Sequence, residues 1–368
     1  MSQQKALYQW SKEVAQHLPQ LSQPQARTLA AFSLGLALSR RCTLSWVAEA
    51  LSGLGKPDTV ERRLQRFLSN GQVDWQKCSQ ALVPWVWGSL KPPSLVVLLV
   101  DETSLQERLK VMAVSLAYRG RAIPLAWWCY HQEAWPLGQV ELITTLLSWV
   151  AQGIPPDTPA LVEADRGLGT SPKLLQEIQA LGWYYLVRVQ GQVHLRLAQG
   201  QEVSLASLVS RKGQSWQGPV QGFKKAGWLR CWAVGQWRAK HPEPWLLLTN
   251  YPPAQGNWYG LRMWEELAFR DFKSTGWQGQ RSRVWKPEHA NRLWLVMALA
   301  YVWMVSLGTR VIRTPKLRRE LTRGRAWRRS VFHLGLRLLK RWLELGRRLY
   351  YELMLIPHLP ICPKTVVH

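Results

Sequence analysis

Three acidic residues, Asp101, Asp165 and Glu266, hold positions from which carboxylates can do chemistry. Asp101 ends the continuous apolar run 95–100, and Asp165 follows the shorter apolar piece 160–164. A carboxylate at the end of a buried strand is costly unless positive charge lies opposite it. A hard divalent cation with oxygen ligands meets that need, and three carboxylates can share two ions ~3.5–4 Å apart. Such a pair suits phosphodiester chemistry. One ion activates the attacking water or 3′ hydroxyl, and the other stabilises the leaving oxygen. The plainer reading of the two aspartates is that they cap the helices or turns that follow them.

Glu266 belongs to a helical segment with a pattern of its own. Tyr259, Arg262, Glu266 and Lys273 are offset by three, seven and fourteen residues from the first. At ~100° per residue they project within roughly 60° of one another, from one face of a helix over 259–273. That face offers a carboxylate beside a phenol, a guanidinium and an ammonium, which fits a metal ligand whose neighbours grip phosphate oxygens. Glu265 points ~100° away and is the weaker candidate for a ligand.

The elements that position these groups can be read from the same patterning. Residues 95–100, 111–118, 122–130, 160–164 and 183–189 are strand candidates, with helices expected at 138–150 and 171–181. Three strands, helix, strand, helix, strand indicate an α/β core with a mixed sheet. Residues 191–250 are rich in Gln and Gly, with short alternating apolar pieces at 193–197 and 229–234, and read as a β-rich insertion. Helical sequence returns at 259–273 and 288–307. Before all of this, 1–90 reads as helical, with Thr43 capping a helix to Leu51 and a glycine-rich break at Gly53, Gly55 and Pro57. A second helix over 60–68, capped by Asp58 or Thr59, carries Arg62, Arg63 and Arg66. Two short helices with a basic second member fit a DNA-contacting module of helix-turn-helix type. An ordinary helical hairpin with a solvated basic face would read the same way.

Composition narrows the partner. Lys and Arg number 48 against 23 acids, a formal net charge of +25, which a compact fold tolerates best when a polyanion neutralises it. The tail 310–368 carries about fifteen cations against Glu320, Glu344 and Glu352, interleaved with Leu and Trp. Its amphipathic basic helices suit a DNA or partner surface. The cysteines Cys42, Cys78, Cys129, Cys231 and Cys362 form no Cys-x-x-Cys pair, which points away from a disulfide framework or structural zinc and toward a reducing compartment. Residues 1–5 carry no apolar signal-type run, and the apolar stretch 293–308 falls short of the ~20 residues that span a bilayer. A buried core helix is expected there, and no membrane partner.

With these residues in view, the chain resembles the DDE transposases of bacterial insertion sequences, in the IS-four-like branch. The helix reads Y-x-x-R-x-x-x-E-x-x-x-x-x-x-K, preceded by an Asp after an apolar strand, a second Asp in Asp165-Arg166-Gly167, and a β-rich insertion. The resemblance implies a ribonuclease-H-like core with Asp101, Asp165 and Glu266 as ligands of Mg²⁺, with Mn²⁺ as a substitute. It implies that Tyr259, Arg262 and Lys273 hold the DNA backbone near the cleaved end. Some similar enzymes cut through a DNA hairpin and stack a flipped base on a tryptophan before a Leu-Leu-Leu-Thr strand. Here that residue is Trp245, in Pro244-Trp245-Leu246-Leu247-Leu248-Thr249-Asn250. Among 23 tryptophans, packing is the ordinary role of any one.

The expected organisation is a helical DNA-binding domain at 1–90 and a catalytic domain at 91–310 with its insertion at about 191–250. A basic helical region at 311–368 follows. The expected partners are transposon-end DNA with terminal inverted repeats, and target DNA, bound by a homodimer in the bacterial cytoplasm at the nucleoid. Two other readings keep much of this architecture: a ribonuclease-H-like nuclease that cuts without joining, and a catalytically silent, transposase-derived DNA-binding protein.

Overall fold

The computed structural model describes residues 3–90, 95–168, 171–251, 257–321 and 329–356. The break at Lys91-Pro92-Pro93, Cys362 and the basic tail at 322–328 and 357–368 lie outside the described residues.

Five helices come first: α1 (Gln3–His17), α2 (Gln23–Ser39), α3 (Leu44–Ala50), α4 (Pro57–Ser69) and α5 (Trp75–Gly88). Local chemistry sets their ends. Ser22 and Gln25 form a capping box on α2, and the Asp74 carboxylate accepts the Gln76 and Lys77 amides at the start of α5. The basic helix α4 begins at Pro57, three residues before the expected start and ahead of both expected caps, with Lys56 at the N-cap. Proline at the first helical position has the backbone angle a helix needs and lacks only an N–H that would be unpaired there.

The α/β core follows in the expected order: β1 (Val96–Leu105), β2 (Leu109–Tyr118), β3 (Arg121–His131), α6 (Gln139–Gly153), β4 (Ala160–Ala164), α7 (Pro172–Ala180) and β5 (Tyr184–Arg188). β1, β2 and β3 are antiparallel neighbours, while β1, β4 and β5 run parallel. The order β3-β2-β1-β4-β5, flanked by helices, is the mixed ribonuclease-H-like arrangement. One boundary differs from expectation. β1 does not stop at Asp101 but continues to Leu105, with Asp101, Thr103 and Leu105 buried and the residues between them half-buried. That period-two burial keeps the strand going after its fully apolar half ends.

The β-rich insertion contains β6 (His194–Leu197), β7 (Glu202–Ser204), β8 (Ser215–Gly222), β9 (Leu229–Gln236) and β10 (Trp245–Thr249). These strands extend the same sheet. β10 pairs antiparallel with β5, and the ladder continues through β9, β8, β6 and β7 to make ten strands.

The remaining helices are α8 (Arg262–Arg270), α9 (Pro287–Arg313), α10 (Pro315–Leu321) and α11 (Val331–Glu344). The apolar stretch 293–308 lies inside α9. This helix is long and apolar enough to cross a membrane, yet 89% of its apolar window is buried within the fold. It packs against α2, α4 and α5, against β3, and against α10 and α11. The buried residues accordingly form one continuous core that draws on the head, the sheet and the tail of the chain. α9 and α11 approach closely at two glycines. A Cβ on Gly308 would stand 1.8 Å from the Val331 carbonyl oxygen, and one on Gly335 would stand 1.8 Å from that of Met304.

Candidate active site

Strand register brings the two aspartates together. β1 and β4 are parallel and pair Val100 with Ala164, so the next residue of each, Asp101 and Asp165, emerges side by side at the carboxyl end of the strand pair. This is where open α/β sheets bind ligands. α8 packs against β1, β2 and β3 and delivers Arg262 and Glu266.

Arg262 is the hub of the arrangement. Its Nη2 lies 2.9 Å from Asp101 Oδ2 and 3.6 Å from Asp165 Oδ2, and its Nη1 lies 3.8 Å from Glu266 Oε1. Three carboxylates from three separate elements therefore converge on one guanidinium. Burial pushes the Asp101 carboxyl up to about 6; Arg262 opposes that rise, while Asp165 and Glu266 add to it. Burial would lower the Arg262 guanidinium, but Asp101, Tyr259, Asp165 and Glu266 together hold it above its ordinary value. The Asp101 side chain is 11% exposed and that of Glu266 is 47% exposed, so the cluster opens to solvent on the Glu266 side.

Two more acids lie beneath it. Glu163 pairs across the ladder with Leu99, and Leu99 with Ser115, so Glu163, Ser115 and Asp101 share the sheet face covered by α8. Glu163 is fully buried, and among the described residues no side chain donates to either carboxyl oxygen; the Arg262 backbone and guanidinium are the groups that favour its charged form. Glu265 is also fully buried and accepts a 2.9 Å hydrogen bond from Ser115 Oγ. Burial drives both carboxyls well above the ordinary range, with Arg262 pulling the other way at each. The sequence carried a signal for Glu163: a charged residue inside an apolar strand, two positions before Asp165 and on the same face.

The four-residue stripe does not lie on one regular helix. Tyr259 sits in a 3₁₀ turn, Trp258–Leu261, Arg262 and Glu266 lie on α8, and Lys273 lies in a π-helical turn, Asp271–Thr275. The Gly276 amide reaches back five residues to the Asp271 carbonyl at 2.9 Å. Asp271 anchors this turn, accepting from Arg121 Nε at 2.6 Å, from the Tyr301 hydroxyl at 3.3 Å and from Thr275 Oγ1 at 3.0 Å. The extra residue per turn carries Lys273 to Thr103 and Ser104, whose hydroxyls accept from its Nζ at 3.2 and 3.4 Å. Lys273 thus stands beyond Asp101 along β1, apart from Glu266. π-turns inside helices are frequent at functional sites.

Trp245, at the start of β10, is half-buried and meets Tyr259 edge-on at a centroid distance of 5.5 Å. His241 lies 5.2 Å away, and the Arg238 guanidinium is 4.9 Å from the ring centre. Glu243, two residues earlier, accepts from Arg166 and Arg188 at 2.6 Å each, which ties the loop after Asp165 to the approach to Trp245. Sequence reasoning did not identify Arg188 or Glu243, since nothing local marks a pair formed across the insertion. The α4 arginines form a separate basic face. Arg62 and Arg66 are exposed, and Arg63 is half-buried near Arg27 and Arg66. α4 packs on α2, α3 and α9, none of which carries the acids.

Among the described residues, no group of three or more His, Cys, Asp or Glu side chains already stands in metal-holding geometry. The guanidinium occupies the space between the acids. Their chemistry nonetheless fits a hard divalent ion: the donors are carboxylate oxygens, and three carboxylates against one guanidinium leave two negative charges uncompensated when all are ionised. Residues 138–303 match the Transposase DDE domain family. The matched span holds Asp165, Tyr259, Arg262, Glu266 and Lys273 and begins after Asp101. No curated protein matches the chain. The domain match supports a transposase function in general terms.

Proposed function

We propose that this chain is a DDE transposase that cleaves transposon ends and transfers the freed strand to target DNA, with Asp101, Asp165 and Glu266 as its Mg²⁺ ligands. The observation that carries the reading is the convergence of these three carboxylates on one guanidinium from β1, the end of β4 and α8. Bound divalent ions would supply activation of the attacking oxygen and charge stabilisation at the leaving oxygen.

The chain's own residues set the geometry. Asp101 and Asp165 are fixed by strand register, and Glu266 faces them from the solvent side, where DNA enters. Arg262 balances the acids and, once they take metal, its fork is free to grip a phosphate bidentately. Lys273, held by two hydroxyls along β1, offers a second cation to the backbone further along the strand. Water or a 3′ hydroxyl is the nucleophile, so no protein side chain needs to be one. The Trp245 ring, next to Tyr259, is the place where a flipped terminal base would stack on a hairpin route. The basic faces of α4 and the tail would hold the end DNA, and pairing of two ends calls for a homodimer.

The test is cleavage of a linear DNA carrying the element's terminal repeat, with Mg²⁺ or EDTA, beside Glu266→Ala. Metal-dependent cutting that the variant loses, followed by joining of the cut end to a second DNA, is the expected result. Cutting without joining would leave a nuclease. Tight repeat binding with no cutting would leave a silent DNA-binding descendant.

A further inference from the structure

We propose that the ridge running from the end of α2 to the β1–β2 hairpin binds unpaired DNA beside the carboxylate site. The inference rests on the transposase reading and adds a surface to it.

Three segments distant in sequence are stitched together here. The Cys42 amide donates to the Trp277 carbonyl at 2.8 Å, and Thr43 Oγ1 donates to the Arg281 carbonyl at 3.3 Å. The Gln106 amide donates to Gln280 Oε1 at 2.5 Å, and its side-chain amide to Ser282 Oγ at 2.8 Å. Four non-glycine residues of the ridge, Arg40, Gln106, Gln278 and Arg283, hold left-handed backbone angles with φ between 54° and 60°. Such conformations persist where the surroundings fix them, and they gather at functional surfaces.

The side chains presented are those that bind single strands. From 281 to 285 exposure alternates, with Arg281, Arg283 and Trp285 outward and Ser282 and Val284 inward. Trp285 is 51% exposed with the Arg108 guanidinium 5.5 Å from its ring centre; Trp46 is 47% exposed with Arg41 at 4.1 Å. No carboxylate pairs with Arg41, Arg108, Arg281 or Arg283 among the described residues. Indoles left half open, each beside a cation without an acid, match a polyanion that also has flat apolar faces. Paired bases hide those faces, whereas unpaired bases stack on aromatics and their phosphates meet the arginines. The ridge also adjoins the site. Ser104, whose carbonyl accepts from Gln280 at 3.3 Å, lies three residues beyond Asp101 on β1, or ~10 Å at strand spacing. Nucleotides within a few positions of the cut would reach it.

The test is fluorescence anisotropy of the full chain in EDTA with a blunt duplex and with the same duplex bearing a single-stranded tail. The expected result is tighter binding of the tailed DNA by the parent. Trp46→Ala with Trp285→Ala should lose about tenfold or more on tailed DNA, and under about twofold on blunt DNA. Trp46→Phe with Trp285→Phe should retain most of the tail preference, and Arg281→Gln with Arg283→Gln should weaken both probes and flatten the salt dependence. Both tryptophans are exposed, so an unchanged urea midpoint certifies the fold. Parental affinity of the double alanine variant for tailed DNA, or equal loss on both probes, overturns the ridge. A chain that cuts DNA yet shows that result loses only this inference. A chain that prefers tails through the tryptophans yet never cuts loses the transposase reading and keeps the surface.

Discussion

Replacing Arg262 with Gln removes the counter-charge on which three carboxylates converge, and its effect on stability can be worked out for Asp101. That carboxyl stands at about 6 in the fold against an ordinary 3.8. A carboxyl raised by folding contributes most at low pH, and the contribution is lost as pH climbs from the unfolded value to the folded one. Above pH 6 the parent has lost about 3 kcal/mol, at roughly 1.4 kcal/mol per unit. Without Arg262 the main opposing charge is gone, and burial with Asp165 and Glu266 drives the Asp101 carboxyl higher still, so the loss continues beyond pH 6. The variant should therefore be less stable than the parent at pH 7.5, by about 1.4 kcal/mol for each pH unit by which the carboxyl rises further, and by almost nothing at pH 5 from this group. Urea unfolding in EDTA at the two pH values reads this directly. Added Mg²⁺ should stabilise the variant more than the parent, because the ion no longer displaces a guanidinium. Equal stabilities at pH 7.5, or a deficit of the same size at pH 5, would refute the account of Arg262 as the internal counter-ion.

Three other outcomes are expected. Glu163→Gln should match the parent near pH 4.5 and gain on it as pH rises, by up to about 1.4 kcal/mol per unit, because the raised Glu163 carboxyl loses its contribution on that climb; urea midpoints that differ by a constant amount across pH would contradict this. Gly335→Ala, which places a methyl 1.8 Å from the Met304 carbonyl oxygen, should force α9 and α11 apart and destabilise the chain by on the order of 3 kcal/mol, and an unchanged melting temperature would show that the contact yields. Trp245→Ala should leave first-strand nicking intact and impair hairpin formation, with up to about 3 kcal/mol of stacking lost; gel assays showing equal loss of both steps would count against a base-stacking role.

Much of this site is written in local pattern. Apolar strand runs placed both aspartates, and offsets of three and seven residues placed Arg262 and Glu266 with Tyr259. What local pattern does not carry is either non-local or masked by charge. β1 runs on past Asp101 because Asp101, Thr103 and Leu105 alternate inward, a period-two signal that an acid at the end of an apolar run conceals. The helix at 259–273 is divided into 3₁₀, α and π turns; its π end forms where Asp271 is held by Arg121 from another element, and no periodicity within the segment reports that pull. Glu163 was visible as a letter, but its burial beneath Arg262 depends on strand register. The pairing of β10 with β5 depends on residues some sixty positions apart, as Thr249 with Leu186, and pattern within either segment is silent about it.

That pairing has a consequence for how such chains can vary. The excursion leaves at the end of β5 and returns as its hydrogen-bonded neighbour, with the Val189 amide 2.9 Å from the Leu246 carbonyl. Topologically, everything between is the loop of a single antiparallel hairpin, and loop length adds only slowly to the entropy of closing one. The insertion is therefore an exchangeable cassette. It can grow or shrink at small entropic cost while β4, Asp165 and the strand register behind them stay as they are, provided the Glu243 contact with Arg166 and Arg188 is kept.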